Sequence, residues 1–348
     1  QFEDTQGTFH LKKAENISYL YFPIAGEAGL KSSFTPNLGG DAKIDQNTFL
    51  LEPVSAENLV NNRNSRNFWC NVKGIGSWSL TGHSAEELSK KFTEMQDDSE
   101  VTAGFMWQKT TRESKKYQLR GEILSFIPVD KNVEIMLVTI TNTGRMAQTV
   151  TPTAAIPLYG RSADNIRDHR HVTSLLHRIE TTDTGVLVTP TLSFDERGHQ
   201  VNHMTYYCVG WSGNGEKPVD FYPTAEDFVG EGGNFERPYA IVKNAEGVKA
   251  GTKIEGLEAV GGLHFSEITL EPEEECSYLI FTGITEDIQE IRNLSKTYTT
   301  REKVLEELEK TKAYWQEKVN VAYHTGDSDF NQFMHWVSFQ PILRRIYG

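Results

Sequence analysis

Cysteine is scarce in this sequence. The 348 residues hold three, Cys70, Cys208 and Cys276, far apart and odd in number. No Cys-x-x-Cys pair occurs, which removes the usual thiolate zinc site and the redox dithiol. Such cysteines fit a reducing compartment, each as a small buried hydrophobe. Positive charge is also short, with 35 Lys plus Arg against 48 Asp plus Glu and a formal net charge of −13. That balance argues against nucleic acid as a partner, because phosphate attraction needs a basic surface. It equally disfavours docking on anionic membranes. No apolar run approaches the roughly 20 residues of a membrane span. Gln1 is not an initiator methionine and no signal stretch follows it. The sequence therefore reads as trimmed at its start and cytoplasmic by default.

Motifs for nucleotides and for hydrolytic nucleophiles are missing too. Gly74-Ile75-Gly76 lacks the third glycine and the strand-to-helix context of a dinucleotide fingerprint, and no phosphate-cradling Gly-Lys-Ser/Thr occurs. There is no Gly-x-Ser-x-Gly elbow and no His-Glu-x-x-His helix. Internal repeats and low-complexity tracts are likewise absent. No cofactor is expected.

What is present is a β-rich pattern. Hydrophobic content of 38% and aromatic content of 11% suffice for a sizeable core. Val133 to Asn142 is long, β-branched and partly alternating, the mark of a strand with a well-buried side. Leu119 to Ile127, Gly185 to Phe194, Met204 to Trp211 and Cys276 to Thr282 read the same way. Turn pairs such as Asn214-Gly215 and Gly261-Gly262 separate strands without long helices between them, which implies antiparallel sheets packed face to face. One helix is predicted from Ser84, with Glu87 at capping-box spacing before Leu88, Phe92 and Met95. After about Ile284 the pattern turns helical. Ile288, Ile291 and Leu294 mark one helix, and a second opens at Thr299 with Val304, Leu305, Leu308, Trp315 and Val319 on one stripe. A third starts after Asp327 and carries Phe330, Phe333, Met334, Trp336, Val337 and Phe339, with Pro341 expected to kink or end it. That aromatic helix either folds back on the sheets or opens a further domain, and the second is favoured. Three segments follow: a β domain over 1–283, a helical linker over 284–326 and a barrel-entry helix over 327–348.

The densest polar constellation lies between Tyr159 and Arg178. It gathers Arg161, Asp164, Asn165, Arg167, Asp168, His169, Arg170 and His171 just after the strand-like Ala154 to Leu158. Guanidinium forks and imidazoles suit sugar hydroxyls and phosphate oxygens. The plain alternative is a salt-bridged turn in which Asp164 and Asp168 satisfy the arginines. His169 and His171 share a strand face but lack a third ligand nearby, so no metal is assigned. A second region, Tyr19 to Trp69, contains a glycine-rich loop through Gly39-Gly40-Asp41 and the block Ser65-Arg66-Asn67-Phe68-Trp69. The loop is a binding rim or a lid. Arg66, beside Phe68 and Trp69, is expected as a structural tie that stacks on a ring. Trp78 and Trp107 are expected in the core.

The order of these blocks resembles one family. Y-L-Y-F-P-I-A-G-E-A-G-L-K-S-S-F-T-P, G-G-D, S-R-N-F-W, G-x-W-S-L-T-G at Gly76 to Gly82, the Arg/His cluster and the closing F-x-x-F-M-x-W-V-S-F-Q-P-x-L-R-R-I-Y-G look like the N-terminal part of glycoside hydrolase family 94. These inverting glycoside phosphorylases were once classed as glycosyltransferase family 36. Within it the sequence looks closest to 1,2-β-oligoglucan phosphorylases and the phosphorylase-like region of cyclic β-1,2-glucan synthases. The resemblance implies a mainly-β, galactose mutarotase-like β-supersandwich, then linker helices, then an (α/α)6 barrel. It implies phosphorolysis of β-linked glucooligosaccharides, with inorganic phosphate as co-substrate and α-glucose 1-phosphate as product.

An inverting displacement needs one carboxylic acid on the leaving oxygen while phosphate attacks the opposite face. In the family that acid lies in the barrel, so no catalytic residue is assigned to this chain, which is expected to be inactive alone. The resemblance gives the N-terminal domain a loop at the active-site mouth. Arg161, Asn165, Arg167, His169, Arg170 and His171 are its expected substrate-binding residues, with Arg167, His169 and Arg170 orienting glucosyl hydroxyls. The implied partners are a β-glucan oligosaccharide, the barrel domain and, through the apolar surface from Phe330 to Ile346, a second copy in a homodimer. Two other readings remain open at this point: a stand-alone carbohydrate-binding module, and an aldose epimerase using His169, His171 and a distant glutamate.

Overall fold

A computed structural model describes residues 1–17, 20–54, 65–166, 170–196 and 198–348. Four antiparallel sheets make up its β architecture among those residues. The largest has ten strands and centres on Val133–Asn142, which pairs with Leu119–Phe126 on one side and Glu275–Thr285 on the other. The six-stranded sheet centres on Gln148–Leu158, flanked by Asn67–Val72 and Ala259–His264. Phe22–Ala25, Lys31–Phe34, Ala42–Asp45 and Thr48–Leu51 form a four-stranded sheet, and Leu192–Asp195 pairs with Gly198–Val201. This is the mainly-β sandwich with C-terminal helices that the pattern implied.

The central strand explains its own composition. Met136, Val138 and Ile140 face the inter-sheet core with Phe68, Cys70, Ala154, Ile156 and Ile280. Val133, Ile135 and Leu137 face the opposite way, into a second cluster with Phe281, Ile291, Leu294, Tyr298, Val304 and Leu308. Strands alternate their side chains, so a strand covered on both faces must be apolar throughout. All ten of its residues are buried. Glu134 falls on the inner face by the same alternation and needs a partner there.

The described helices are named α1 (Ala85–Ser89), α2 (Arg170–Ser174), α3 (Ala225–Val229), α4 (Tyr239–Lys243), α5 (Ile288–Thr297), α6 (Arg301–Lys318) and α7 (Ser328–Tyr347). Ser84 caps α1 by accepting from the Glu87 N–H at 3.1 Å. The helix stops at Ser89, however, shorter than the pattern predicted. The Glu87 carboxylate accepts from the Asp97 N–H at 2.7 Å instead of closing a capping box, and Phe92 and Met95 are 78% and 72% exposed. Gly185 to Phe194 is likewise two strands, Gly185–Val188 and Leu192–Asp195, broken where Pro190 can give no ladder hydrogen bond.

Helix α5 starts on Asp287, whose carboxylate accepts from the Gln289 N–H at 2.8 Å. Helix α6 buries Val304, Leu308, Thr311 and Trp315. The Asp327 carboxylate accepts from the Phe330 N–H at 3.0 Å and opens α7, which runs through Pro341 to Tyr347. Pro341 removes a donor to the Val337 carbonyl, and Val337 is half-exposed, so water can take that carbonyl. The helix lies on the sheets. Phe339 stacks on Phe105 with ring centroids 4.4 Å apart, the Trp336 indole N–H donates to Gly7 O at 2.7 Å, and the Tyr347 hydroxyl donates to Ser32 O at 2.6 Å. Its outer side leaves Phe330 and Phe333 exposed.

Candidate functional site

The loop from Tyr159 leaves the end of the central strand of the six-stranded sheet and is fastened to its neighbour Thr48–Leu51. The Tyr159 N–H donates to Leu50 O at 2.8 Å, the Gly160 N–H to Phe49 O at 3.1 Å, and the Phe49 N–H returns to Arg161 O at 3.0 Å. A short 3-10 turn, Ala163–Ile166, follows, with the Ala163 N–H on Gln46 O at 3.0 Å. Backbone pairing alone therefore fixes where the loop begins.

Arg161 turns inward. Its guanidinium lies 3.0 Å from a Glu258 carboxylate oxygen and sits over the Tyr159 ring at 5.0 Å, and the side chain is 3% exposed. Asn165 is also buried. His177 lies beneath the loop, with Nδ1 3.2 Å from Leu257 O. Burial, reinforced by the Arg161 charge, lowers its pKa to about 3, so it is neutral at ordinary pH. Arg161, expected from the sequence as a sugar contact, is buried at the loop base beside the Glu258 carboxylate. Arg167 and His169 lie outside the described residues. Arg170 and His171 open α2, and their side chains are also outside the description. The structure therefore places Arg161 and Asn165 together at the root of the loop and leaves the other four side chains unplaced.

The second constellation is anchored by a buried tie. Arg66 is fully buried, stacks over the Phe34 ring at 4.1 Å, and donates to both oxygens of Glu134 at 2.5 and 3.0 Å. Its remaining N–H groups reach Gly40 O at 2.9 Å and Asp41 O at 3.2 Å. That side chain fastens the glycine-rich loop to the sandwich, together with the Arg66 N–H on Leu38 O at 3.2 Å. Trp78 and Trp107 are in the core. No group of three or more His, Cys, Asp or Glu that could hold a metal occurs among the described residues.

Beside the loop opens a cavity of about 550 Å³, walled by Tyr159 and Glu258 from the loop side, Glu52 from the strand below, and Glu226, Phe235 and Glu236 from α3 and the turn after it. Glu258, Glu52 and Glu236 had no signal in the sequence. Each stands alone in its segment, and only the topology brings them to one place.

Residues 51–301 match the family model described as glycosyl hydrolase 94, supersandwich domain. The chain belongs to this family. Among solved structures, a bacterial glucoamylase complexed with acarbose aligns at a TM-score of 0.53 and 9% identity, covering 95% of this chain and 44% of that one. A protein assigned as a kojibiose phosphorylase from the human microbiome aligns at 0.48 and 10% identity, covering 97% of this chain and 41% of that one. At such identities the glucoamylase shows a shared fold and nothing more. The family 94 chain spans less than half the length of either structure. No curated protein matches it.

Proposed function

We propose that this chain is the N-terminal, non-catalytic part of an inverting glycoside phosphorylase acting on β-linked glucooligosaccharides, the β-1,2-linked ones first. The observation that carries the reading is the supersandwich family match over 251 residues, 51–301. In this reading the acid that protonates the leaving oxygen and the groups that seat inorganic phosphate belong to an (α/α)6 barrel following α7. This chain supplies a platform and the loop from Arg161 to His171.

Division of labour within that loop follows from its base. Arg161 and Asn165 are buried and set its direction, while Arg167, His169 and Arg170 beyond them orient glucosyl hydroxyls. Orientation of this kind acts through substrate binding more than through bond breaking. The segment 284–326 links the sandwich to the barrel, and α7 is the barrel's first helix, with the exposed Phe330 and Phe333 facing the helices that follow or a second copy.

The test is a set of alanine substitutions at Arg167, His169 and Arg170 in a longer protein that carries this chain together with a barrel. Phosphorolysis of a β-glucooligosaccharide is expected to show KM raised about tenfold per lost hydrogen bond to a charged group, with kcat less affected. Unchanged KM in all three variants would remove the loop from the substrate site.

A further inference from the structure

The cavity beside the loop has a chemistry of its own. Its lining holds four carboxylates, Glu52, Glu226, Glu236 and Glu258, and no lysine, arginine or histidine. Two rings, Tyr159 and Phe235, complete the wall, the second packed 6.0 Å from Phe228. The volume falls within the ~300–1,000 Å³ range of small-molecule sites. Below it lies a smaller void, lined by Ser65, Asn67, Trp69 and Phe228, which shares Pro157 and Phe235 with the large cavity. Trp69 lines that void, is 2% exposed, and its indole N–H has no acceptor. That void holds only about 10 Å³, room for a single water as the partner of the indole N–H, and Trp69 does not line the large cavity.

Three classes of ligand can be weighed against this lining. A phosphate or sugar phosphate would meet four carboxylates, with only the Arg161 guanidinium behind Glu258 to offset them, and the net negative wall opposes binding. A divalent cation needs several oxygens converging on one point, and no such group of three occurs among the described residues. A neutral sugar fits the lining. Its hydroxyls donate to carboxylates, and its C–H face lies on a ring.

We infer that the cavity between Tyr159, Glu258 and the Phe235–Glu236 turn is a binding pocket for a neutral, unphosphorylated glycosyl unit, separate from any phosphate site. Glu236 is its chief hydroxyl acceptor from the α3 side. The Glu236 backbone is held in place, since its carbonyl accepts from the Ala85 N–H at 2.8 Å and its N–H donates to the Asn234 side chain at 3.0 Å. Burial raises its carboxyl above the ordinary value, as expected for a group facing into a partly closed space. The inference stands on the cavity and does not depend on phosphorolysis.

The experiment titrates the 348-residue chain itself with sophorose, cellobiose, inorganic phosphate and α-glucose 1-phosphate, read by calorimetry and by saturation transfer to the ligand. Saturable binding of at least one of the two disaccharides is expected, with both phosphates weaker by about tenfold or more at low salt. Glu236→Gln keeps the shape and is expected to weaken the disaccharide about tenfold. Absence of saturable disaccharide binding overturns the inference, as does a phosphate ester binding at least as well. Binding by a folded Glu236→Gln variant equal to that of the parent also overturns it. Phosphorolysis by a longer protein whose N-terminal chain binds no disaccharide would remove this pocket and leave the phosphorylase reading untouched.

Discussion

The guanidinium of Arg66 grips both carboxylate oxygens of Glu134, at 2.5 and 3.0 Å, with neither side chain reaching solvent. The pair joins the residue that leads into Asn67–Val72 of the six-stranded sheet to the central strand of the ten-stranded one. The Ser32 hydroxyl adds a 2.7 Å hydrogen bond to the same carboxylate. Desolvating two charges is expensive, and only a fully bonded geometry offsets it. Removing one partner leaves the other charged and buried. Arg66→Met is therefore expected to destabilise the chain by about 3–5 kcal/mol in urea unfolding, while Arg66→Met combined with Glu134→Leu recovers a large part of that loss. A single substitution that cost under about 1 kcal/mol would show the pair to be energetically idle.

Gly40 is tied to the same arginine through its carbonyl. Its φ is +131°, and a Cβ there would overlap the Ser33 carbonyl. Gly74, at φ +78°, has open space around the same position. Gly40→Ala is expected to destabilise by more than about 3 kcal/mol through strain plus overlap, and Gly74→Ala by about 1 kcal/mol through conformation alone. Thermal unfolding of the two variants side by side checks the ordering.

Two histidines link the fold to acid. His177 is buried and His83 is partly buried, both largely deprived of hydration, and each has its pKa lowered to about 3; Arg161 and Arg112 respectively add repulsion to the protonated forms. The unfolded chain binds these protons near pH 6.5, so between that pH and about 3 it holds more protons than the folded chain does. Stability is then fully present above about pH 6.5 and declines as the pH falls towards 3. Replacing either residue by Asn is expected to flatten that decline in denaturant midpoints measured across the window. An unaltered slope in both variants would mean the imidazoles do not gain their protons on unfolding.

The two sides of α7 are expected to behave differently. Phe339 is fully buried against Phe105, so Phe339→Ala should destabilise by about 3–5 kcal/mol. Phe330 and Phe333 are 46% and 58% exposed, and serine at both should change stability by only about 0.5 kcal/mol each. The same pair of changes is expected to reduce self-association in light scattering, because it removes the exposed apolar stripe.

Sheet content and the C-terminal helices were legible because period and composition report burial directly. Val133 to Asn142 is the clearest case, a run apolar on both faces because both faces are covered. Arg66 was legible as a tie, since an arginine beside aromatic residues stacks readily. Its acidic partner was not, because alternation places Glu134 on an inner face but does not say which cation arrives there. The length of α1 was misjudged at Phe92 and Met95, whose helical spacing is not matched by burial. Pro341 was expected to break α7, and tertiary contacts through Trp336, Phe339 and Tyr347 carry the helix past it. The site was least legible. Arg161 is buried at the loop base beside Glu258, a partner its own segment did not announce, and the carboxylates at the cavity, Glu52, Glu236 and Glu258, come from segments far apart in the chain.

The most direct measurement is phosphate-dependent release of α-glucose 1-phosphate from β-1,2- and β-1,4-linked glucooligosaccharides. It compares this chain alone with a longer protein in which an (α/α)6 barrel follows α7. The expected result is no turnover by the 348-residue chain and phosphorolysis, favouring the β-1,2 linkage, by the longer protein. Turnover by the 348-residue chain alone, or none by a folded protein that includes the barrel, would contradict it.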